Sequence, residues 1–138
     1  QDTKTAREPL VERGAPRTLL PVSEPVEAGD LLALDPLRPG GLAKSRAAGD
    51  PLAVAIAAAP SEELAGALTV PVCDTIYGLV KADASAAAIR PGDLLVASAL
   101  PGHVMRAPEG VPSTAIVGKA LEPLEAGQAL LHVLVTLR

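Results

Sequence analysis

Short apolar runs separated by turn-forming residues dominate the chain from Thr18 onward. The breaks between them carry Gly-Asp, Pro-Gly, Gly-Gly and Asp-Pro pairs, which are typical of turns. Strands of about five residues at this spacing indicate a barrel or a sandwich. We therefore predict an all-β fold: a single compact β-barrel or sandwich-like domain of short strands over residues 18–138. At most one helical turn is expected, at Ser61–Ala65, because Gly66 follows at once.

Two segments of the chain are expected to contact other copies. Residues 1–17 are polar and interrupted by proline and glycine, which predicts an extended N-terminal arm that is ordered only where something holds it. The aliphatic run Ala129–Leu137 is expected to form a long edge strand that a subunit interface must cover. The candidate assembly residues of the arm are Arg7, Leu10, Val11 and Arg13.

A short motif occurs three times, at residues 26–32, 89–95 and 124–130. Each copy has an aliphatic residue, two further residues, a glycine, a polar residue and then an aliphatic run. This order predicts a tight turn that opens a strand, because glycine supplies a positive φ and aspartate accepts hydrogen bonds from nearby backbone N–H groups. The motif predicts structure rather than chemistry. The turn residues are Gly29, Asp30, Gly92, Asp93 and Gly127.

Composition narrows the range of functions. The 138 residues suit one domain, and an apolar content of 49% argues against disorder. Tyr77 is the only aromatic residue, so the core must be built from aliphatic layers. A net charge of −4 argues against nucleic-acid binding, which needs a basic face. No apolar run reaches the roughly 20 residues of a membrane span.

Candidate catalytic and metal-binding groups are few and scattered. The only cysteine is Cys73, and the only histidines are His103 and His132. These residues match no zinc spacing, and no nucleophile motif, calcium loop or phosphate-binding loop is present. We therefore predict no enzymatic activity, no metal and no cofactor. His103, in a Pro-Gly-His turn, is the better candidate for a metal shared between symmetric copies, although an exposed loop residue is the simpler interpretation.

Five short segments lie in order along the second half of the chain, at residues 78–84, 89–98, 101–107, 116–124 and 133–137. Through them the chain resembles, over about residues 20–138 and more loosely in its first half, a β-rich C-terminal module of bacterial and phage surface and tail-fibre proteins, the intramolecular-chaperone or G2-type peptidase-like domain. The resemblance implies self-association, often as a trimer, on fibres and cell surfaces. It also implies self-cleavage in some members, at a serine near the start of the domain. Ser23 is the only serine before Ser45, and its surroundings do not match a cleavage motif.

The preferred hypothesis is a structural self-assembling module, a subunit of a surface fibre, filament or shell. Its partners would be copies of itself, as a trimer or a polymer. A ligand-binding or adhesin module is the first alternative, and an autoproteolytic chaperone-type domain is the second. The sequence begins at Gln1 without a methionine. A removed leader would account for this start and favours an extracellular or cell-surface location, with a cytoplasmic one left open.

Overall fold

A computed structural model describes residues 18–137 and confirms the all-β fold. The predicted arm, with Arg7, Leu10, Val11 and Arg13, lies outside the described residues. Within residues 18–137 there is no helix long and apolar enough to cross a membrane. In the same range, one 3₁₀ turn lies at Ser113–Ala115. The strands are β1 (Leu19–Pro21), β2 (Leu31–Leu34), β3 (Leu42–Lys44), β4 (Ala53–Ile56), β5 (Glu62–Leu64), β6 (Ala67–Pro71), β7 (Tyr77–Asp83), β8 (Leu94–Ala97), β9 (His103–Arg106), β10 (Gly118–Ala120) and β11 (Gln128–Val135).

The second half of the chain forms a closed barrel in the order β10-β11-β7-β9-β8. All neighbours are antiparallel except β7 and β9, which run parallel where Lys81 lies beside His103. The longest pairing joins β7 to β11, from Tyr77 opposite Leu134 to Asp83 opposite Gln128. Because β11 pairs with β10 on its other side, the run Ala129–Leu137 is not a free edge. The prediction that a subunit must cover it is wrong: closure of the barrel satisfies its backbone groups.

The first half contains two three-stranded sheets, ordered β1-β6-β5 and β3-β2-β4. A parallel bridge between Val22 and Leu42 joins β1 to β3. An antiparallel bridge between Ala57 and Val72 joins the end of β4 to β6. The five strands therefore follow the circular order β4-β6-β1-β3-β2. We call this half the N-terminal unit and the closed barrel of β7–β11 the C-terminal barrel.

The two halves share one strand plan. In both halves, the amide of a turn glycine donates to the carbonyl of an alanine at an equivalent position. Gly29 donates to the carbonyl of Ala57, and Gly92 donates to the carbonyl of Ala120. Beyond the turn, Ala57 donates back to Asp30, and Ala120 donates back to Asp93. Strands β1, β2, β3, β4 and β6 thus correspond to β7, β8, β9, β10 and β11. Only β5 has no equivalent strand among the described residues.

Strand β5 corrects one expectation from the sequence. The stretch Ser61–Ala65 was expected to hold at most a helical turn, but Glu62–Leu64 is a strand that pairs with β6. Between Leu64 and Ala67, which face each other, lie Ala65 with φ +52° and Gly66 with φ +83°. Two positive φ angles are the mark of a type I′ hairpin turn, so Gly66 closes a hairpin rather than ending a helix.

The buried side chains form two aliphatic clusters. One fills the N-terminal unit and includes Leu32, Leu42 and Val70. The other fills the C-terminal barrel and extends beyond it, because it also contains Leu31 and Ile56 from the N-terminal unit. The two halves are therefore joined by a continuous apolar contact. Neither cluster contains an aromatic ring, in line with the aliphatic core expected from composition.

Candidate functional site: the junction and its exposed counterparts

Two turns with the same geometry open strands β2 and β8. In Glu27–Asp30 and in Arg90–Asp93, the fourth amide donates to the first carbonyl, at 3.1 and 3.0 Å. The third residue of each is a glycine with a positive φ, +90° at Gly29 and +91° at Gly92. That combination is the pattern of a type II turn, in which an L-residue at the third position is strained.

The aspartate of each turn closes it a second time. Oδ2 of Asp30 accepts the backbone N–H of Glu27 at 2.8 Å, and Oδ2 of Asp93 accepts that of Arg90 at 2.8 Å. Each carboxylate thus ties the end of the turn to its beginning. Each side chain therefore stabilises the turn that contains it.

The third copy of the motif has a different place in the fold. Gly127 has φ +69°, but its carbonyl accepts the amide of Ala84, at 2.7 Å, at the far end of β7. It precedes β11 as Gly66 precedes β6. A similar sequence therefore serves a different connection, the one that corresponds to the β5–β6 hairpin.

The surroundings of the two aspartates differ sharply. Asp30 is fully buried, and its Oδ1 lies 2.9 Å from Nζ of Lys81 in the C-terminal barrel. The same ammonium lies 2.6 Å from Oε1 of Glu27. Asp93 keeps 23% of its side chain exposed, and its neighbour is Arg106, with Nε at 3.6 Å from Oδ2. The first turn is therefore locked into the junction between the halves, and the second faces solvent.

The charged groups of the junction shift the pKa values of Lys81 and Glu27. Burial acts to lower the pKa of Lys81, but the carboxylates of Glu27 and Asp30 outweigh that effect and its pKa is raised. The ammonium in turn lowers the pKa of Glu27. Lys81 thus remains charged across the physiological range and compensates the buried carboxylate of Asp30.

Backbone hydrogen bonds reinforce the junction. Lys81 donates its amide to the carbonyl of Gly29 at 2.8 Å, and Leu31 donates to Gly102 at 2.8 Å. The amide of Gly102 then returns to the carbonyl of Ser45 at 2.9 Å. A side chain at position 102 would collide with the carboxylate of Asp30, and φ there is +75°. Only glycine fits this close approach.

The candidate chemical groups from the sequence are held in local bonds. Sγ of Cys73 donates to the carbonyl of Tyr77 at 3.2 Å. Nδ1 of His132 lies 2.9 Å from Oε2 of Glu122, and Nδ1 of His103 lies 2.8 Å from the carbonyl of Pro101. Each group thus has a different neighbour. Over residues 18–137, no cluster of three or more His, Cys, Asp or Glu residues is arranged to hold a metal ion.

Ser23, the candidate self-cleavage serine, lies between β1 and β3. Its hydroxyl donates to the carbonyl of Leu42 at 3.3 Å, and its amide donates to the same carbonyl at 2.9 Å. The amide of Leu37, and after it the Ser23 hydroxyl, lower the pKa of Asp35. The serine therefore ties a loop to a strand, and its described partners include no histidine that would activate it as a nucleophile.

An open groove of about 510 Å³ lies beside the exposed turn of the C-terminal barrel. It is lined by Leu94 and Ile116 and by residues of the connection from β9 to the 3₁₀ turn. Leu94 is 46% exposed. Sequence reasoning identified the turn at Gly92 but not this surface, because exposure of a strand residue depends on which partner covers the strand.

Comparison with known proteins identifies a fold rather than a family. No family model and no curated protein matches the sequence. Among solved structures, the N base of the head fibre gp8.5 of bacteriophage phi29 is similar, with a TM-score of 0.61 and 17% sequence identity. The match covers 86% of this chain and 92% of that one. The chain therefore has a phage-fibre-like β fold, and this likeness does not extend to the chaperone-type module that the sequence resembled.

Proposed function

We propose that the chain is a structural, self-associating subunit of a phage particle or a surface fibre, without catalytic activity. The observation that carries the proposal is the fold, shared over nearly the whole length with the N base of a phage head fibre. Folds host many functions, so the surface of this chain must support the same conclusion.

The distribution of polar and apolar groups supports a structural role. The turn aspartates, Lys81, Cys73 and Ser23 are engaged in bonds that hold strands and turns together. Several large aliphatic side chains point outward instead, among them Leu19 and Leu94 at 46% exposure. Exposed apolar groups beside a groove are typical of surfaces that another protein covers. Their burial would stabilise an assembly without any chemistry.

The partners proposed are copies of the same chain, as a trimer or a polymer, and the location proposed is a virion or another extracellular surface. The arm over residues 1–17 extends this proposal, because an extended segment can lie on a neighbouring copy or add a strand to it. Within residues 18–137, strand β5 pairs with β6 alone, so its other edge is available to such a segment.

Negative-stain microscopy of the purified chain over a range of concentrations tests the proposal. A polymeric subunit forms rings or fibres that are large enough to be resolved, and a trimer gives three times the monomer mass of 13.9 kDa in sedimentation of the same samples. A field without such particles, together with the monomer mass at every concentration, would contradict the proposal. Deletion of residues 1–17 is expected to weaken the assembly while the circular-dichroism spectrum of the β fold is preserved. An unchanged assembly after the deletion would show that residues 1–17 do not contribute to the interface between copies.

A further inference from the structure

The contact between the two halves of the chain uses two surfaces. On the N-terminal unit, the turn face consists of Gly29–Leu31 with Ala53 and Ile56. On the C-terminal barrel, the strand face consists of the outward residues Leu79, Lys81 and Leu130 with Gly102. The carbonyls and amides of Gly29, Lys81, Leu31 and Gly102 join them, and Leu31, Ala53 and Ile56 complete the apolar cluster of the barrel.

Because the strand plan occurs twice, each surface has a counterpart on the other half. Leu79 pairs with His132 as Leu19 pairs with Pro71, so the strand face of the N-terminal unit contains Leu19. The register of β1 and β7 then places Pro21 at the position of Lys81. Turn Arg90–Asp93 corresponds to Glu27–Asp30, so the turn face of the C-terminal barrel contains Gly92–Leu94 with Ile116 and Lys119.

Exposure shows that the two counterparts have no cover among the described residues. Leu31 is 0% exposed in the junction, but its equivalent Leu94 is 46% exposed. Leu79 is 4% exposed, but its equivalent Leu19 is 46% exposed. In each pair an aliphatic side chain is retained at the position that is buried in the other half. The groove of about 510 Å³ beside Leu94 lies on this uncovered turn face.

The glycines of the two turns show the same difference. A Cβ built on Gly29 would lie 2.7 Å from Cδ2 of Leu130, on the strand face of the barrel. A Cβ built on Gly92 would meet nothing within 4 Å. The space that the strand face fills at the first turn is therefore open at the second turn.

The charges of the counterparts also differ from those of the junction. Arg90 stands where the junction has Glu27, and Pro21 stands where it has Lys81. A contact between the counterparts would thus lack the buried ion cluster. It would combine the exposed leucines with polar groups, because Lys119 stands where the junction has Ile56 and Thr69 stands where it has Leu130. This mixture of apolar and polar groups suits association between separate copies, since such interfaces are about as apolar as the rest of a protein surface.

We propose that copies of this chain associate head to tail. The turn face of the C-terminal barrel of one copy packs on the strand face of the N-terminal unit of the next copy, and so repeats between chains the contact that exists within each chain. This inference rests on the proposed function and adds the interface and its polarity. A contact between two different surfaces closes into a ring or continues into a filament, according to the rotation between copies.

Complementary single variants test the polarity directly. In Leu94→Asp the turn face is disabled, and in Leu19→Asp the strand face is disabled. Each variant retains only one working face, so neither can associate with itself. Burial of an aspartate in an apolar contact raises the dissociation constant by at least about tenfold. Ile76→Asp is the matched control, because Ile76 is 54% exposed but lies on neither face. Melting curves confirm that all three variants are folded.

The decisive sample is an equimolar mixture of Leu94→Asp and Leu19→Asp. Head-to-tail association predicts a dimer in the mixture, formed by the turn face of one variant and the strand face of the other, although each variant alone is a monomer in sedimentation experiments. Ile76→Asp should assemble as the wild type does.

Each contrary result identifies what fails. If the wild type, Leu94→Asp and Leu19→Asp all assemble equally well, the head-to-tail contact is wrong. The structural role would still stand. Loss of assembly in Leu94→Asp alone, with Leu19→Asp unaffected, indicates that turn faces pair with each other and also overturns it. A wild type that is monomeric at every concentration overturns the proposed function itself.

Discussion

The turns Glu27–Asp30 and Arg90–Asp93 share their hydrogen bonds, their glycine and the strand that each opens. They differ in what covers them. At the first turn, the opposing barrel buries Asp30 against Lys81. At the second, Asp93 remains part-exposed beside Arg106. The geometry of each turn is thus set by residues within the turn. Its contribution to the free energy of unfolding depends on residues that are distant in the sequence.

The comparison also separates stability from assembly. The covered turn contributes to the free energy of unfolding through its ion pair, because loss of Lys81 would leave a buried carboxylate without its cation. The uncovered turn contributes less to the free energy of unfolding, because Asp93 is part-exposed. Its exposed leucine is available for contact with another molecule.

The largest expected difference lies between the two ion pairs. Lys81→Met removes the cation beside buried Asp30 and should destabilise the fold by about 3 kcal/mol. Arg106→Met removes the partner of part-exposed Asp93 and should cost less than about 1 kcal/mol. Urea unfolding monitored by circular dichroism measures both. Equal losses in the two variants would show that the junction is not specially stabilised by its ion cluster.

The turn glycines should show a smaller difference of the same sign. Both Gly29→Ala and Gly92→Ala force a residue with a Cβ into a positive φ, which costs about 1 kcal/mol. In Gly29→Ala the new methyl group also meets Leu130, which should raise the loss to about 2–3 kcal/mol. Thermal melts of the two variants provide the comparison. A greater loss at Gly92 would contradict the placement of Leu130 over the first turn.

The smallest expected effect is the dependence of the junction on pH. The pKa of Lys81 is raised in the folded state, so its contribution is complete below the unfolded pKa of about 10.4 and is lost as the pH rises through the higher folded value. The stability gap between wild type and Lys81→Met should therefore narrow in alkaline solution.

The acid side of the same experiment has the opposite sign. The pKa of Glu27 is lowered by Lys81, so the contribution of Glu27 is present above its unfolded pKa of about 4.3 and is lost as the pH falls through the folded value. Because Glu27 is largely exposed, this loss should be small. A stability gap that stays constant from acid to alkali would argue against an ionic junction.

Local signals in the sequence predicted the local structure. Alternating short apolar runs indicated an all-β chain, and the Gly-Asp pairs indicated turns at the start of strands. Gly29 and Gly92 have the positive φ that such turns require. These features depend on neighbours in the chain, so a single sequence contains them.

The repeated strand plan was only partly visible. The motif at 26–32 and 89–95 is its clearest trace, and a Pro-Gly pair follows each copy, at Pro39-Gly40 and Pro101-Gly102. Elsewhere the equivalent positions hold unlike residues, such as Pro71 and His132. The copy at 124–130 obscured the pattern, since its glycine serves another connection.

The junction had no sequence signal. Asp30 and Lys81 are distant in the chain, and neither belongs to a motif that indicates an ion pair. Their contact arises only when the two halves dock. The same applies to Leu94, whose exposure depends on which distant segments pack over β8 rather than on its place in an apolar run.

The central claim is that this chain assembles with copies of itself, and its mass in solution tests that claim most directly. Light scattering on the wild-type protein over a concentration series should give a weight-average mass above 13.9 kDa. A mass that stays at 13.9 kDa from the lowest to the highest concentration would contradict the account.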